Sequence, residues 1–268
     1  FKNNYGISKL ECEKILVSHA KKYNCSLINL RIPNVFGKWC KPNYNSVVAT
    51  FCNNIARRKK IKILYPNKII RLIYIDDLVS IITKFINKKN EGISTKIIKS
   101  SKAITIKKLS DKINKFELQR KNLHFDSFED KFEKDLYSTY ISHLPSRKIS
   151  YKLMKKTDRR GSFIEFFKNN TIGQFSIFTA KKKQIRGNHF HHSKVEKFLV
   201  LKGEGKFYMK DISSKRKITF KLNGNNPKIV ESIPGWQHYI ENTGNDELIV
   251  ILWSNEVFNK NKPDTFSI

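Results

Sequence analysis

The sequence predicts an α/β region followed by an all-β region, with the change near residue 150. Before that point, stretches with the apolar spacing of a helix alternate with short apolar runs. From residue 173 onward, glycine-bearing turns separate short strand-like runs, which is typical of a jelly roll or barrel. We therefore expect one domain over residues 1–118, a helical connector over residues 119–150 and a second domain over residues 151–268.

Helices and strands alternate in the first region. Apolar residues recur at helical spacing over residues 8–23, 47–58 and 104–116. Residues 25–32 form a short apolar run, and residues 69–75 alternate in the manner of a strand. This order of elements indicates an α/β fold.

Runs of strand character fill the second region, and turns such as those at Gly203 and Gly224 separate several of them. The runs cover residues 174–180, 197–201, 206–212, 217–222, 229–233, 238–241 and 247–253. The connector before them is charged and aromatic, and residues 128–143 have the spacing of one amphipathic helix before Pro145.

The net charge of +30 would suit a polyanionic partner such as nucleic acid. The lysines are nevertheless spread over both regions and accompany many Asn and Ile residues, as a coding bias toward A and T would produce. No zinc finger, aromatic RNA-binding strand or confined basic helix accompanies the charge. We therefore expect no nucleic-acid partner.

The sequence gives no sign of membrane insertion or secretion. Its apolar runs stay below the ~18 residues that a bilayer crossing needs, since Lys84 interrupts the best early candidate. The four cysteines lie in the first 52 residues without a Cys-x-x-Cys pair, which favours reduced thiols. The sequence opens at Phe1 without a leader. We expect a cytoplasmic chain that lacks its N-terminal part.

The most specific chemical pattern is a group of potential metal ligands. On a strand, His189 and His191 would point to the same face, because side chains two residues apart share a face. Glu196 adds a carboxylate nearby, and His238 on a distant strand completes the set. Three imidazoles and one carboxylate suit a divalent metal, and we expect zinc. His192 should face outward as a surface histidine, with a substrate contact as the alternative.

A run of histidines alone fits a polar loop as well as a metal site. The spacing here is more specific, because it resembles the first cupin motif, with matches at His189, His191, Glu196 and Gly203. The second motif is looser: Gly235, His238 and Asn242 keep the expected spacing, but Pro234 directly precedes Gly235. The resemblance implies a cupin jelly-roll barrel with these metal ligands.

A Tyr-x-x-x-Lys pair, Tyr5 and Lys9, begins the first predicted helix, and this spacing places both side chains on one face. An ammonium beside a phenol favours the phenolate, which allows Tyr to pass a proton at neutral pH. The pattern by itself is weak, since Tyr151 and Lys155 share it in a context without such a role.

The residues after Lys9 carry a second resemblance. The segment Arg31-Ile-Pro-Asn-Val-Phe-Gly37, followed later by Arg71-Leu-Ile-Tyr-Ile-Asp-Asp77, resembles extended short-chain dehydrogenases that act on nucleotide sugars. The resemblance implies a Rossmann-type fold, catalytic and cofactor-binding roles for Tyr5 and Lys9, and substrate contacts at Asn34 and Arg71. For Arg71, a solvated cation at a strand end is the alternative. The glycine-rich nucleotide loop expected upstream of Tyr5 is absent, so we expect no ordinary NADPH site in this chain.

Nearly all of the chain resembles the bifunctional capsular polysaccharide enzymes of the CapF/WbjC type, in which a short-chain dehydrogenase/reductase domain is fused to a cupin. Further matching segments are Asp135-Leu-Tyr-Ser-Thr-Tyr140, Arg160-Gly-Ser-Phe163, Trp253-Ser-Asn-Glu256 and Lys262-Pro-Asp-Thr265. The resemblance implies a homodimer in which the cupin epimerises C3 of a UDP-2-acetamido-2,6-dideoxy-4-hexulose. The reductase then reduces the 4-keto group with NADPH, on the route to UDP-N-acetyl-L-fucosamine.

Epimerisation beside a ketone needs a base, a proton donor and stabilisation of an enolate. Candidate acid/base residues near the predicted metal ligands are His192, Lys194, Tyr208 and Tyr239. A purely structural metal is an alternative, since four ligands fill a tetrahedral site. Two other functions remain open: a non-catalytic sugar-binding cupin module, and an inactive fragment of a split gene.

Overall fold

The computed structural model describes residues 4–88 and 91–267. The chain divides into two compact units, here called the α/β unit and the β unit. The α/β unit takes Phe1–Glu117 and Phe128–Ile149, and the β unit takes Leu118–Ser127 and Ser150–Ile268. The predicted connector over residues 119–150 is therefore divided between the two units instead of forming a separate segment.

Helices and strands of the first region follow one another along the chain. They are α1 (Asn4–Lys22), β1 (Leu27–Arg31), β2 (Asn34–Phe36), α2 (Val47–Ala56), β3 (Ile69–Tyr74), α3 (Ile75–Asn87), β4 (Ile93–Ile97), β5 (Lys102–Thr105), α4 (Ile106–Asn122) and α5 (Lys131–Ser142). Strands β1 and β4 pair in parallel, while β3 lies between the parallel β2 and the antiparallel β5. A buried core that includes Phe36, Leu72, Leu109 and Tyr140 joins β2 and β3 to helices α4 and α5.

Two of these helices begin at residues whose side chains cap the first turn. Ser46 Oγ accepts a hydrogen bond from the backbone N–H of Ala49 at 3.2 Å, and α2 follows. Asp130 Oδ1 accepts one from the N–H of Glu133 at 2.9 Å, and α5 follows. Each cap satisfies a backbone donor that has no partner within the helix.

The first region contains elements that were not predicted from the sequence, including strands β2, β4 and β5. Ile104 belongs to β5, where it pairs with Ile70, so the helix predicted over residues 104–116 begins only at Ile106. Helix α3, which begins at Ile75 within the predicted strand 69–75, was not predicted from the sequence. The signal was present, because the side chains that pack beside the buried Ile73 recur at helical spacing: Leu78, Ile81, Ile82 and Phe85.

The β unit consists of antiparallel strands. They are β6 (Lys155–Asp158), β7 (Gly161–Asn169), β8 (Gly173–Ala180), β9 (Ile185–Phe190), β10 (Glu196–Lys202), β11 (Glu204–Asp211), β12 (Lys217–Asn223), β13 (Ile229–Glu231), β14 (Trp236–Asn242), β15 (Leu248–Ser254) and β16 (Phe266–Ser267). One sheet has the order β13-β10-β15-β8-β7-β6, and the other β12-β11-β14-β9-β16. Strands β6, β7, β9 and β16 lie outside the predicted runs, although His189 and His191 were expected on a strand.

Apolar side chains from both sheets form the core of the β unit. Phe178 and Phe198 from the first sheet share a cluster with Phe207 and Ile240 from the second. Buried and less buried positions alternate along β8 and β14, which places alternate side chains inside the sandwich. The all-β prediction for the second region agrees with this arrangement.

The segment Leu118–Ser127 belongs to the β unit and packs on strand β7 through its aromatic and backbone groups. His124 forms an isolated parallel bridge with Lys168, and the ring of Phe125 stacks on Phe167 at a centroid distance of 5.4 Å.

None of the helices in the described part of the chain is both long and apolar enough to span a membrane.

Candidate metal centre and cavity

Four side chains of the β unit converge at one point. His189 lies on β9, His191 directly after it, Glu196 at the start of β10 and His238 on β14. One potential ligand atom from each lies within 4.8 Å of the other three. Glu196 Oε2 is 3.3 Å from the Nε2 atoms of His191 and His238, and 4.0 Å from that of His189. The structure thus brings together the four residues predicted to bind a metal.

A local irregularity between β9 and β14 places two of these histidines side by side. His238 pairs with His189, but the register shifts at the next residue, so Tyr239 pairs with Gly187. Gly187 has φ +91°, and a Cβ there would lie 3.1 Å from the carbonyl oxygen of His238. A glycine therefore fits this bulge better than any other residue.

Backbone carbonyls set the tautomers of two imidazoles. His191 Nδ1 donates to the carbonyl oxygen of Asp264, and His238 Nδ1 donates to that of Trp236 at 3.1 Å. With hydrogen on Nδ1, each neutral ring has a bare lone pair on Nε2, and both lone pairs face Glu196. A carboxylate oxygen this close to bare nitrogens would be repelled unless a cation lay between them.

Burial supports the same interpretation. His191 and His238 are each 1% exposed, and Glu196 is 8% exposed. The Nε2 atoms of His189 and His191 are buried and have no hydrogen-bond partner. Buried polar atoms without partners are rare in proteins and usually belong to a site that binds something. The residues present therefore fit a metal ion.

Electrostatics keep these side chains in the forms that bind a cation. Burial acts to raise the pKa of Glu196, but the three surrounding imidazoles, His189, His191 and His238, hold that pKa well below its usual range. Burial also lowers the pKa of His189, which favours the neutral imidazole. An ionised carboxylate and neutral imidazoles are the forms that coordinate metals.

The distances suit a small divalent ion. In a tetrahedral zinc site with bonds of about 2.0–2.2 Å, neighbouring ligand atoms lie roughly 3.3–3.6 Å apart. Two of the three distances to Glu196 Oε2 are 3.3 Å, and the third is 4.0 Å. Two of these distances therefore match the ligand spacing of such a site, and the distance to His189 is longer.

A cavity of about 310 Å³ adjoins this cluster. Two predicted ligands, His189 and Glu196, form part of its wall, and the buried Lys194 forms another part. Lys194 Nζ donates to Thr265 Oγ1 at 2.9 Å and lies 4.0 Å from Glu256 Oε1. The other residues that line the cavity are Lys156, Phe163, Glu165, Gln174, Ser176, Leu252, Ser254, Glu256, Phe258 and Thr265.

Among the predicted acid/base candidates, Lys194 lines this cavity and the other three do not. His192 is exposed, and its ring packs against Phe266 at a centroid distance of 4.7 Å. Tyr208 and Tyr239 stack on each other at 4.7 Å and line a different pocket. Tyr239 follows His238 on β14 and so points to the opposite face of the sheet.

The two predicted substrate residues of the α/β unit lie next to each other. Strands β2 and β3 pair in parallel, and Asn34 Nδ2 donates to the carbonyl oxygen of Arg71 at 3.2 Å. Both residues are exposed. The loop after β2 contains Gly37 at φ +147°, where a Cβ would lie 2.3 Å from the side chain of Ile75. The glycine thus permits close packing between the Asn-Val-Phe-Gly loop and α3.

Tyr5 and Lys9 lie one turn apart on α1. Lys9 Nζ is 5.5 Å from the centroid of the Tyr5 ring, and Tyr5 is 63% exposed. The helix therefore brings the ammonium over the phenol, as the four-residue spacing predicts. Their catalytic role stays a prediction.

Comparisons with known proteins agree with both units. Residues 2–99 match the NAD dependent epimerase/dehydratase family, and residues 156–266 match the polysaccharide biosynthesis C-terminal domain. A reductase of Pseudomonas aeruginosa, UDP-2-acetamido-2,6-beta-L-arabino-hexul-4-ose reductase, is 41% identical over 265 residues, which cover 99% of this chain and 71% of that protein. The chain belongs to the same family.

Solved structures show the same relationship. The chain resembles the capsular polysaccharide assembling protein CapF from Staphylococcus aureus with a TM-score of 0.90 and 39% identity, over 100% of this chain and 73% of that one. A structure of CapF with the inhibitor 3-isopropenyl-tropolone matches with a TM-score of 0.87 and 39% identity, over 96% and 74% of the two chains. The predicted fold class and the predicted CapF-type family are both confirmed.

Proposed function

We propose that this chain is a nucleotide-sugar-modifying enzyme of capsule or O-antigen biosynthesis, and that its β unit inverts C3 of a UDP-2-acetamido-2,6-dideoxy-4-hexulose. The observation that carries the proposal is the cavity lined both by two of the four clustered potential metal ligands, His189 and Glu196, and by the buried Lys194. The kinship with a UDP-sugar reductase supports the substrate class.

The reaction is an isomerisation and needs no oxidant or reductant. A base removes the proton from C3, the electron pair moves toward the neighbouring C4 carbonyl, and an enolate forms. The enolate then takes a proton on the opposite face of C3, so the atoms and electrons of substrate and product balance. The protein must therefore exchange protons at C3 and stabilise negative charge at the C4 oxygen.

Lys194 is suited to the second task. Its Nζ has three hydrogens, and among the described residues the hydrogen bond found for it goes to Thr265 Oγ1 at 2.9 Å. A buried ammonium is costly unless an anion balances it, and Glu256 lies 4.0 Å away and is partly solvated. An enolate oxygen in the cavity would accept from the remaining hydrogens. Glu165 and Glu256, which also line the cavity, are our candidates for proton transfer at C3.

The four clustered residues would hold the metal, and we propose zinc. His189, His191, Glu196 and His238 offer three nitrogen ligands and one oxygen ligand. When bound, the ion would supply positive charge beside the cavity. The chain's own contribution is to keep His191 and His238 in the tautomer with a bare Nε2.

The α/β unit has a separate role in this proposal. Asn34 and Arg71 would contact the UDP-sugar. Because no glycine-rich nucleotide loop precedes Tyr5 in these 268 residues, Tyr5 and Lys9 would act in NADPH-dependent reduction of the 4-keto group only together with such a loop from another segment. The adjacency of Asn34 and Arg71 on β2 and β3 supports a shared contact, and an Arg side chain suits a diphosphate. We also propose that the chain acts as a homodimer.

Hydrogen exchange at C3 tests the epimerase directly. When the chain is incubated with the 4-keto UDP-sugar in deuterium oxide without any nicotinamide, we expect NMR to show deuterium at C3. Lys194→Met should slow labelling by about 10²–10³-fold, as loss of an oxyanion donor typically does, with the metal still bound. The matched control is Lys197→Met, because Lys197 lies nearby on β10 and pairs with Glu231.

The alternatives make different predictions in the same experiment. A non-catalytic sugar-binding module would bind the UDP-sugar without labelling it, and an inactive fragment would do neither. Absence of label from the folded wild-type chain with metal bound would overturn the epimerase proposal. Normal labelling by Lys194→Met would show that Lys194 has no role in the exchange and would leave the epimerase proposal standing.

A further inference from the structure

A carboxylate near the end of the chain holds the turn that carries one predicted metal ligand. Asp264 accepts hydrogen bonds at 2.8 Å from three successive backbone N–H groups, those of His192, Ser193 and Lys194. It also accepts from the hydroxyl of Ser193 at 3.0 Å. These donors belong to the turn between His191 and Glu196, so one side chain fixes the path between two predicted ligands.

The same residue also contacts a metal ligand directly. The backbone carbonyl of Asp264 accepts the hydrogen bond from His191 Nδ1, which leaves Nε2 directed at Glu196. The next residue, Thr265, accepts from Lys194 Nζ at 2.9 Å. Strand β16 then continues the contact by pairing Phe266 with Phe190 on β9.

We propose that Asp264 is a positioning residue for the metal centre: its carboxylate locks the turn after His191 and thereby fixes the carbonyl that orients the His191 ring. The proposal rests on the metal site proposed above but not on epimerisation. Partners of this kind fix the tautomer and orientation of a metal-binding histidine.

The carboxylate has properties that an amide lacks. Burial acts to raise the pKa of Asp264, but the backbone N–H groups of His192, Ser193 and Lys194 hold it well below its usual range, so the group is ionised at neutral pH. One oxygen accepts from His192, and the other accepts from Ser193 and Lys194. In Asp264→Asn, one of these oxygens becomes an NH₂ group that faces an N–H donor.

Asp211 provides a matched control. It is the last residue of β11 and holds the turn that follows, where its Oδ1 accepts from the N–H and hydroxyl of Ser213, both at 2.9 Å. Its other oxygen accepts from the hydroxyl of Ser214 at 2.6 Å. Asp211→Asn therefore perturbs a similar turn between β11 and β12 without a hydrogen bond to a predicted ligand.

Metal affinity is the measurement, made with Zn²⁺ on the full chain by competition with a chromophoric chelator. We expect Asp264→Asn to raise the Kd by about 10–100-fold, the usual effect of losing an outer partner, and Asp211→Asn to leave it unchanged. In a His191→Ala background, Asp264→Asn should add little, since both changes act through one ligand. With Co²⁺, the visible spectrum of Asp264→Asn should move toward that of His191→Ala.

The outcomes separate this proposal from the others. Equal Kd values for Asp264→Asn and Asp211→Asn, in a background where the wild type binds one ion, would overturn it and leave the metal site and the epimerase standing. Additive effects of Asp264→Asn and His191→Ala would overturn it as well. Melting of the metal-free proteins reports whether Asp264→Asn folds. If it does not, Asp264→Glu serves instead, and an affinity between those of wild type and His191→Ala is expected.

Discussion

The metal cluster and the Tyr5–Lys9 pair illustrate two ways in which a sequence pattern becomes a candidate site. His189 and His238 are far apart in sequence, and they meet because β9 and β14 pair in one register. Tyr5 and Lys9 meet because they lie one turn apart on a single helix. The first arrangement depends on the whole β unit, and the second would form on any helix that contained the two residues.

The difference determines how strongly each pattern points to function. The Tyr-x-x-x-Lys spacing occurs again at Tyr151 and Lys155, where Lys155 begins β6 and Tyr151 precedes that strand, so the spacing alone identifies little. The metal cluster requires long-range pairing, burial of its ligands and partners for the Nδ1 atoms of His191 and His238. Such agreement between independent features is hard to obtain without selection for binding.

The largest effect is expected from removing two ligands at once. The double variant His189→Ala/His238→Ala loses two of the four ligand atoms. Its Kd for Zn²⁺ should therefore rise by more than the roughly 10–100-fold that is typical of losing a residue hydrogen-bonded to a metal ligand. Elemental analysis after dialysis should find metal in the wild type and none in the double variant. His192→Ala, which changes an exposed neighbour, should retain the metal. Metal retained by the double variant would place the binding site elsewhere.

The contribution of single side chains to stability should also differ between the core of the β unit and the exposed helix α1. Phe207 is fully buried in the β unit, so Phe207→Ala should lower the free energy of unfolding by about 3–5 kcal/mol. Its paired neighbour Phe220 on the edge strand β12 is 39% exposed, so Phe220→Ala should lower the free energy of unfolding clearly less. Leu10 on α1 is 50% exposed, so Leu10→Ala should change stability by only about 0.5 kcal/mol. Urea unfolding measures all three, and a large loss from Leu10→Ala would show that α1 is covered in solution.

Much of the metal cluster could be predicted from the sequence, because its signals are local. Alternation along a strand places His189 and His191 together, and the spacing to Glu196 and Gly203 resembles a known motif. The same alternation should have excluded Tyr239, which follows His238 and points to the other face. Helix α3 could also have been found from its apolar spacing.

The rest of the site depends on pairing that no local pattern encodes. Phe163, Glu165 and Gln174 line the cavity because β7 and β8 pair beside β15. Strand β7 was missed altogether, so its cavity residues could not be chosen. Asp264 reaches the turn after His191 only through the return of the chain end to β9. Register between distant strands is set by packing of the complete sandwich.

The smallest effect is expected on the pH dependence of unfolding at low pH. The test compares an exposed carboxylate of the β unit with one of the α/β unit. A side-chain hydrogen bond from Arg160 lowers the pKa of Asp158, in the β unit, from 3.8 to about 2. The stabilisation it gives is therefore complete above about pH 4 and is lost as the pH falls toward 2. Asp158→Asn should make unfolding of the β unit less sensitive to pH in that window. Part of the change of unfolding temperature with pH, here called the slope, should remain, because hydrogen bonds also lower the pKa of Asp211 and of Asp264.

Fluorescence-detected thermal unfolding with a chelator present can follow the β unit alone. In a Trp39→Phe background, the remaining tryptophans, Trp236 and Trp253, both lie in the β unit. The control is Asp130→Asn, since a hydrogen bond from Lys102 lowers the pKa of Asp130 within the α/β unit. This variant should leave the tryptophan-detected slope unchanged. If Asp158→Asn keeps the full slope, the Arg160 pair persists in the unfolded chain, as two residues so close in sequence could permit. If Asp130→Asn changes the slope, the two units unfold together, and the contrast between them would not extend to their stability.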